Sequence, residues 1–272
     1  MEKLGNLMFE LANEDRLRIL TRLQEKPMRL TRISSKLKLN MQETSRHLSR
    51  LSEAGLVTKD SEGIYCIQPF GIEILTLMNG FEFLEKHRDY FNSHDLSELP
   101  LSFRYRIGEL KNCVLSNDFF TSLHLTENLI RRAEKYLWMI SDQVLVSSKP
   151  LAKELIEKRT TKFRWILLED LIPPPDFEPL PFVAGRMERK TLKKFDVAMA
   201  ITEKEAQLAF RGKDGKMDFR TFSVVDSRPL NWCKELYEYY WTRAKIGWPK
   251  GLESWEIRNR RKSLYQVADK KF

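Results

Sequence analysis

One stretch constrains this chain more than any other. It runs from Arg29 to Leu56, RLTRISSKLKLNMQETSRHLSRLSEAGL. Its apolar residues fall at helical spacing in two segments, a short one around Ile33 and Leu37 and a longer one from Met41 to Ala54. Leu39-Asn40 between them reads as a turn, with Thr31 a cap for the first helix and Asn40 for the second. Met41, Thr44, Leu48 and Leu51 recur at intervals of three and four, which puts them on one inward face. Gly55 is the expected C-terminal stop. Beyond it Val57-Thr58-Lys59 and Ile64-Tyr65-Cys66-Ile67 are β-prone and flank the turn signal Asp60-Ser61-Glu62-Gly63, which predicts a hairpin. Two helices, a tight turn and a hairpin make a winged helix-turn-helix.

With those four residues facing inward, the longer helix presents Gln42, Glu43, Ser45, Arg46, Ser49 and Arg50 outward. A major groove about 12 Å wide admits one such helix, where Arg pairs with guanine, Gln with adenine, and Glu accepts from cytosine. Arg29, Arg32 and Lys36 lie on or near the bracing helix, where phosphates would meet it, and Lys59 falls on the wing. A solvated charged helix face has the same composition. The brace, turn and hairpin around it are what point to double-stranded DNA. His47 is expected half-buried beside the turn or against a phosphate.

The net charge of +9 over 272 residues agrees with a polyanionic partner, and 42% apolar residues suffice for ordinary cores. Cys66, Cys113 and Cys233 are far apart and form no C-x-x-C, so neither a disulfide framework nor a zinc site is expected. No stretch reaches the roughly 20 apolar residues of a membrane span, and Gly5, Asn6 and Glu10 interrupt the N-terminal apolar segment where a signal peptide would need continuity. A cytoplasmic protein with no membrane partner is expected.

Upstream, Leu4 to Leu23 has helical periodicity broken by Asn13-Glu14-Asp15, which can cap a second helix, and Pro27 ends it. The head therefore spans residues 1–69. Residues 70–99 read as a linker and dimerisation helix. Phe70 to Phe91 carries more apolar surface than one winged head can bury, which fits a homodimer seam or packing on the second domain, and Asn92 to Pro100 is polar. Over residues 100–245 strands and helices alternate, predicting an α/β domain with a mixed, partly parallel sheet, α+β overall with the head. Residues 246–272 form a basic, aromatic tail that could clamp DNA, swap onto a partner, lie on an anionic surface or be inert.

Leu11 to Leu20, together with Ser45-Arg46-His47-Leu48-Ser49-Arg50-Leu51 and Glu53-Ala54-Gly55-Leu56-Val57, resembles the entry and recognition helices of ArsR-type winged-helix regulators. The paired cysteines and adjacent acid of their metal motif are missing, so no metal is implied. Pro100 to Leu110 and Trp232 to Trp241 resemble the opening and the closing helix of the second domain in archaeal regulators typified by methanogenesis regulators. That resemblance implies a regulatory input domain and transfers no ligand.

Chemistry in the second domain is sparse. An alternating sheet permits a phospholipase-D-like arrangement, yet none of His47, His87, His94 and His124 is followed two residues later by the Lys such catalysis needs. No Walker loop, G-x-S-x-G or H-E-x-x-H occurs. No enzyme and no cofactor are expected. Asp142 and Glu169 follow predicted strands, where α/β sheets bind ligands, and with Arg186 they are candidates for a small-molecule effector pocket; solvated loop acids are the plain alternative. The expected function is a dimeric, sequence-specific transcription regulator. The rival is a winged-helix protein-interaction module without base readout.

Overall fold

The computed structural model describes residues 1–144, 149–158, 161–173, 185–218 and 220–250. The chain divides into two compact units, Met1–Glu82 and Phe83–Phe272.

The first unit opens with α1 (Glu2–Leu11) and α2 (Glu14–Glu25). They separate where expected, because the Asn13 side chain accepts the Arg16 amide at 3.0 Å and starts a new helix. Then follow β1 (Met28–Arg29), α3 (Leu30–Leu37), α4 (Met41–Glu53), β2 (Val57–Lys59) and β3 (Ile64–Ile67). The predicted hairpin is present, and β1 adds a third antiparallel strand, with Met28 opposite Tyr65 in the order β1-β3-β2. Ile19, Leu20, Ile33, Leu48, Leu51 and Leu56 are fully buried in one core.

Two local expectations change. Arg29, and not Thr31, occupies the N-cap of α3, because β1 runs directly into the helix. Met41 is 47% exposed and does not join Thr44, Leu48 and Leu51, as it sits in the first turn next to the cap.

The long helix expected from Phe70 to Phe91 is two helices. α5 (Pro69–Lys86) ends at His87, and α6 (Arg88–Ser93) follows. Gly71 lets α5 start close to the head. A Cβ there would lie 2.5 Å from the Leu56 carbonyl oxygen and 2.9 Å from Ile67 Cγ1. The units divide inside α5, and residues 92–100 are not a free linker. Tyr90 and Leu99 are buried in the second unit's core, and the Asp95 amide donates to the Arg211 carbonyl at 2.9 Å. The polar exposed residues of this segment hid the few that anchor it.

The second unit continues with α7 (Leu101–Tyr105), a 3-10 turn (Ile107–Leu110), β4 (Val114–Leu115), α8 (Phe119–Arg132), β5 (Tyr136–Ser141), α9 (Lys149–Lys158) and β6 (Lys162–Leu168). After these come β7 (Met187–Leu192), β8 (Val197–Ile201), β9 (Ala206–Phe210), β10 (Phe222–Val224), α10 (Ser227–Arg243) and β11 (Lys245–Ile246). They build one mixed sheet, ordered β11-β7-β6-β5-β8-β9-β10-β4. β5, β6 and β7 are parallel, and every other pairing is antiparallel.

Alternation along β6 shows how the sheet is covered on both faces. Phe163, Trp165 and Leu167 join the core under α8 and α9, while Ile166 joins the core under α10. The predicted α/β domain with a mixed, partly parallel sheet is therefore present. Of the expected tail, Ile246 belongs to edge strand β11, and residues 251–272 lie outside the described residues. Among the described residues no helix is long and apolar enough to cross a membrane.

Candidate nucleic-acid interface

The turn between α3 and α4 is built from backbone. Lys38 adopts a left-handed conformation (φ 56°), and the Leu39 amide returns to the Ser34 carbonyl at 3.0 Å. Ser34 Oγ donates to the Leu39 carbonyl at 2.7 Å. Asn40 then caps α4, its side chain accepting from the Gln42 amide at 2.8 Å. Thr44 Oγ1 donates to the Asn40 carbonyl at 2.8 Å and is wholly buried, so the start of α4 is pinned from both sides.

This fixes which residues point outward. Gln42, Glu43, Ser45, Arg46, Ser49 and Arg50 are all exposed, while Leu48 and Leu51 are buried beneath them. Arg29, Arg32 and Lys36 are exposed on β1 and α3. The guanidinium of Arg46 and the charged groups of Arg29, Arg32 and Lys36 form no ion pair among the described residues. Among the described residues the structure thus leaves these four cations, and the side chains of Gln42 and Ser45 beside Arg46, without intramolecular partners. His47 is half-buried on α4.

Three of the expected contacts are already engaged. Ser49 Oγ donates to the Ser45 carbonyl at 3.1 Å. Lys59 Nζ sits 5.7 Å from the Tyr65 ring centre, which holds the amine along the wing. Arg50 donates to both Glu10 oxygens, at 2.9 Å and 2.7 Å, and lies 5.2 Å over the Phe9 ring. The bond from Arg50 holds the Glu10 carboxyl below its usual range.

Sequence reasoning missed Glu10 and the residue that places it. Arg16 is buried and donates to the carbonyls of Phe9 at 2.8 Å and Glu10 at 2.5 Å, capping the C-terminal end of α1. Forty residues separate Glu10 from Arg50 in sequence, so no local pattern announces the pair.

The three candidate effector residues do not converge. Asp142 follows β5 and lies 3.6 Å from Arg211, its carboxyl pushed up by burial. Glu169 lies just past the C-terminal end of β6, its amide donating to the Leu192 carbonyl at 2.8 Å. Arg186 precedes β7, and its carbonyl accepts the Phe163 amide at the opposite, N-terminal end of β6. The length of β6, about 3.3 Å per residue, separates Arg186 from Glu169 by roughly 20 Å. A pocket joining all three is excluded by the parallel register. Among the described residues no group of His, Cys, Asp or Glu is arranged to hold a metal.

Residues 11–60 match a family model described as a helix-turn-helix domain, which spans α2 to the wing. The first unit is therefore a helix-turn-helix domain with a winged hairpin. Among solved structures the chain is similar to TrmBL2, an archaeal chromatin protein reported with a novel mode of DNA binding, at 17% identity and a TM-score of 0.42 over 86% of this chain and 94% of that one. It is also similar to NucT from Helicobacter pylori, at 12% identity and a TM-score of 0.37 over 50% of this chain and 98% of that one. No curated protein matches. At these identities and scores both likenesses are loose, and the nucleic-acid reading rests on the helix-turn-helix match and the interface geometry.

Proposed function

We propose that this chain is a sequence-specific, double-stranded-DNA-binding transcription regulator that acts as a homodimer without enzymatic activity of its own. The observation that carries the reading is the outward face of α4. Gln42, Ser45 and Arg46 stand free on a helix whose other face is locked by Thr44, Leu48 and Leu51. Arg46 and Gln42 read base edges, Arg29, Arg32 and Lys36 neutralise phosphates, and Lys59 follows the backbone from the wing. The second unit acts as a regulatory or assembly domain.

Exposed apolar residues support the dimer. Leu4, Met8 and Phe9 on α1 and Ile72, Leu77 and Phe81 on α5 are all exposed, more than a solitary winged head needs to show. A two-fold dimer would read half-sites about 34–36 Å apart.

Dimethyl sulfate interference on the duplex upstream of the protein's own gene tests the readout. Methylating guanine N7 blocks the major-groove edge that Arg46 would use. Interference at guanines in two clusters one turn apart, lost in Arg46→Ala, is the expected pattern. Binding indifferent to N7 methylation would favour the protein-interaction module instead.

A further inference from the structure

Within the second unit a cleft of about 620 Å³ opens beside β4 and the junction of α5 and α6, lined by residues 85–90, 114, 115, 117 and 220. Its volume suits one small ligand. Lys86 and Asn117 face it with an amine and a carboxamide that form no hydrogen bond or ion pair among the described residues.

Arg220, in contrast, is held on three sides. Its Nε donates to Asp218 Oδ2 at 2.6 Å, its Nη2 donates to Ser93 Oγ at 3.0 Å, and its guanidinium lies 5.2 Å over the Tyr90 ring. Among the described residues that leaves Nη1 without a partner on a fixed fork, the geometry in which Arg loses least entropy on gripping an oxyanion. His87 also lines the cleft. It is 9% exposed, and its Nε2 has no hydrogen-bond partner among the described residues.

The acids of the lining set the size of the guest. Three cations, Lys86, Arg88 and Arg220, face Glu85 and Asp89, and Glu85 is taken by Arg88. With Asp218 holding Arg220 as Glu85 holds Arg88, the three cations are matched by three acids and only Lys86 keeps an unpaired charge, which suits a single small oxyanion at most. A DNA backbone would bring several phosphates past two carboxylates and be repelled.

We infer that this cleft is a binding site for a small phosphate-bearing anion, gripped by Lys86, Asn117 and Arg220. Lys86 is the last residue of α5, the helix that begins two residues after the wing strand ends at Ile67. On the regulator reading above, an effector here would act on α5. The binding claim itself does not rest on that reading and is scored without DNA.

Isothermal titration of the full chain with inorganic phosphate at fixed ionic strength tests it, using Lys86→Met, Asn117→Ala and the distant Arg46→Ala. Lys86 and Asn117 are not part of a core, so the variants keep the fold, checked by circular dichroism. Saturable binding that weakens about tenfold in Lys86→Met, weakens in Asn117→Ala and is unchanged in Arg46→Ala is expected. No saturable binding at millimolar phosphate overturns the site. So does binding that survives Lys86→Met and Asn117→Ala but is lost in Arg46→Ala, which would place the anion on the head.

Discussion

At the scale of single residues, the pairing of Glu10 with Arg50 has the largest consequence for the interface. A guanidinium read from sequence as free for DNA is bound through Nε and Nη2 to both oxygens of a carboxylate on another helix. On the proposed reading, DNA would have to compete with Glu10 for Arg50. Glu10→Gln keeps the backbone carbonyls that Arg16 uses and removes the charge, so DNA affinity should rise, by roughly tenfold at most. A loss of affinity in anisotropy titrations would mean that Glu10 instead holds Arg50 in its working position. The same pair has a pH signature. The Glu10 carboxyl lies below its usual value of 4.5, so its stabilisation is present above that value and is lost as pH falls through the lower folded-state value. Urea midpoints of wild type and Glu10→Gln should differ at neutral pH and converge below about pH 4.5. Gln42, Ser45 and Arg46 could be read from periodicity alone, because Thr44, Leu48 and Leu51 fix the face they avoid. Glu10 could not, since its role exists only once α1 has packed.

At the scale of elements, two of the three expected caps were readable, Thr31 was not, and neither were the tertiary closures. Asn13 and Asn40 each accept a backbone amide at a helix start, a local contact written in adjacent residues. The two-residue strands β1 and β11 carry too few residues for any alternation to show, and only their partners β3 and β7 define them. The end of α5 was hidden for a different reason. An apolar stripe continues through Phe81 and Leu84, yet it is Phe83 that enters the second unit's core, so the helix stops at His87 to let Tyr90 follow it. The start of α5 depends on Gly71, where an added methyl meets the Leu56 carbonyl and Ile67. That carbonyl already accepts the Gln68 amide at 2.9 Å and cannot move freely. Gly71→Ala should destabilise the head by about 1–3 kcal/mol, read from chemical denaturation. A neutral result would show that α5 can shift at little cost.

At the scale of the whole molecule, two compact units share one chain, and the boundary falls within α5, inside the 70–99 stretch read as a linker and dimerisation helix and ahead of the polar residues 92–100. The α/β alternation at the start of the second unit was readable because β5 and β6 are short apolar runs flanked by the amphipathic helices α8 and α9. The register was not, and it is the register that puts Arg186 at the far end of β6 from Glu169. Exposed Met8 on α1 and Leu77 on α5 place the proposed dimer seam on the first unit. Met8→Glu combined with Leu77→Glu should convert the chain to a monomer in light scattering with its helical content unchanged. It should also weaken operator binding more than binding to a single half-site. A wild-type chain that is monomeric at micromolar concentration would remove the seam.

The central claim is that α4 reads DNA sequence. It is tested most directly by fluorescence anisotropy with the duplex upstream of the protein's own gene against a scrambled duplex, at two salt concentrations. Wild type should prefer the native duplex, and Arg46→Ala should lose that preference while keeping the salt-dependent binding that Arg29, Arg32 and Lys36 supply. Equal affinity of the wild-type protein for both duplexes, unchanged by Arg46→Ala, would contradict it.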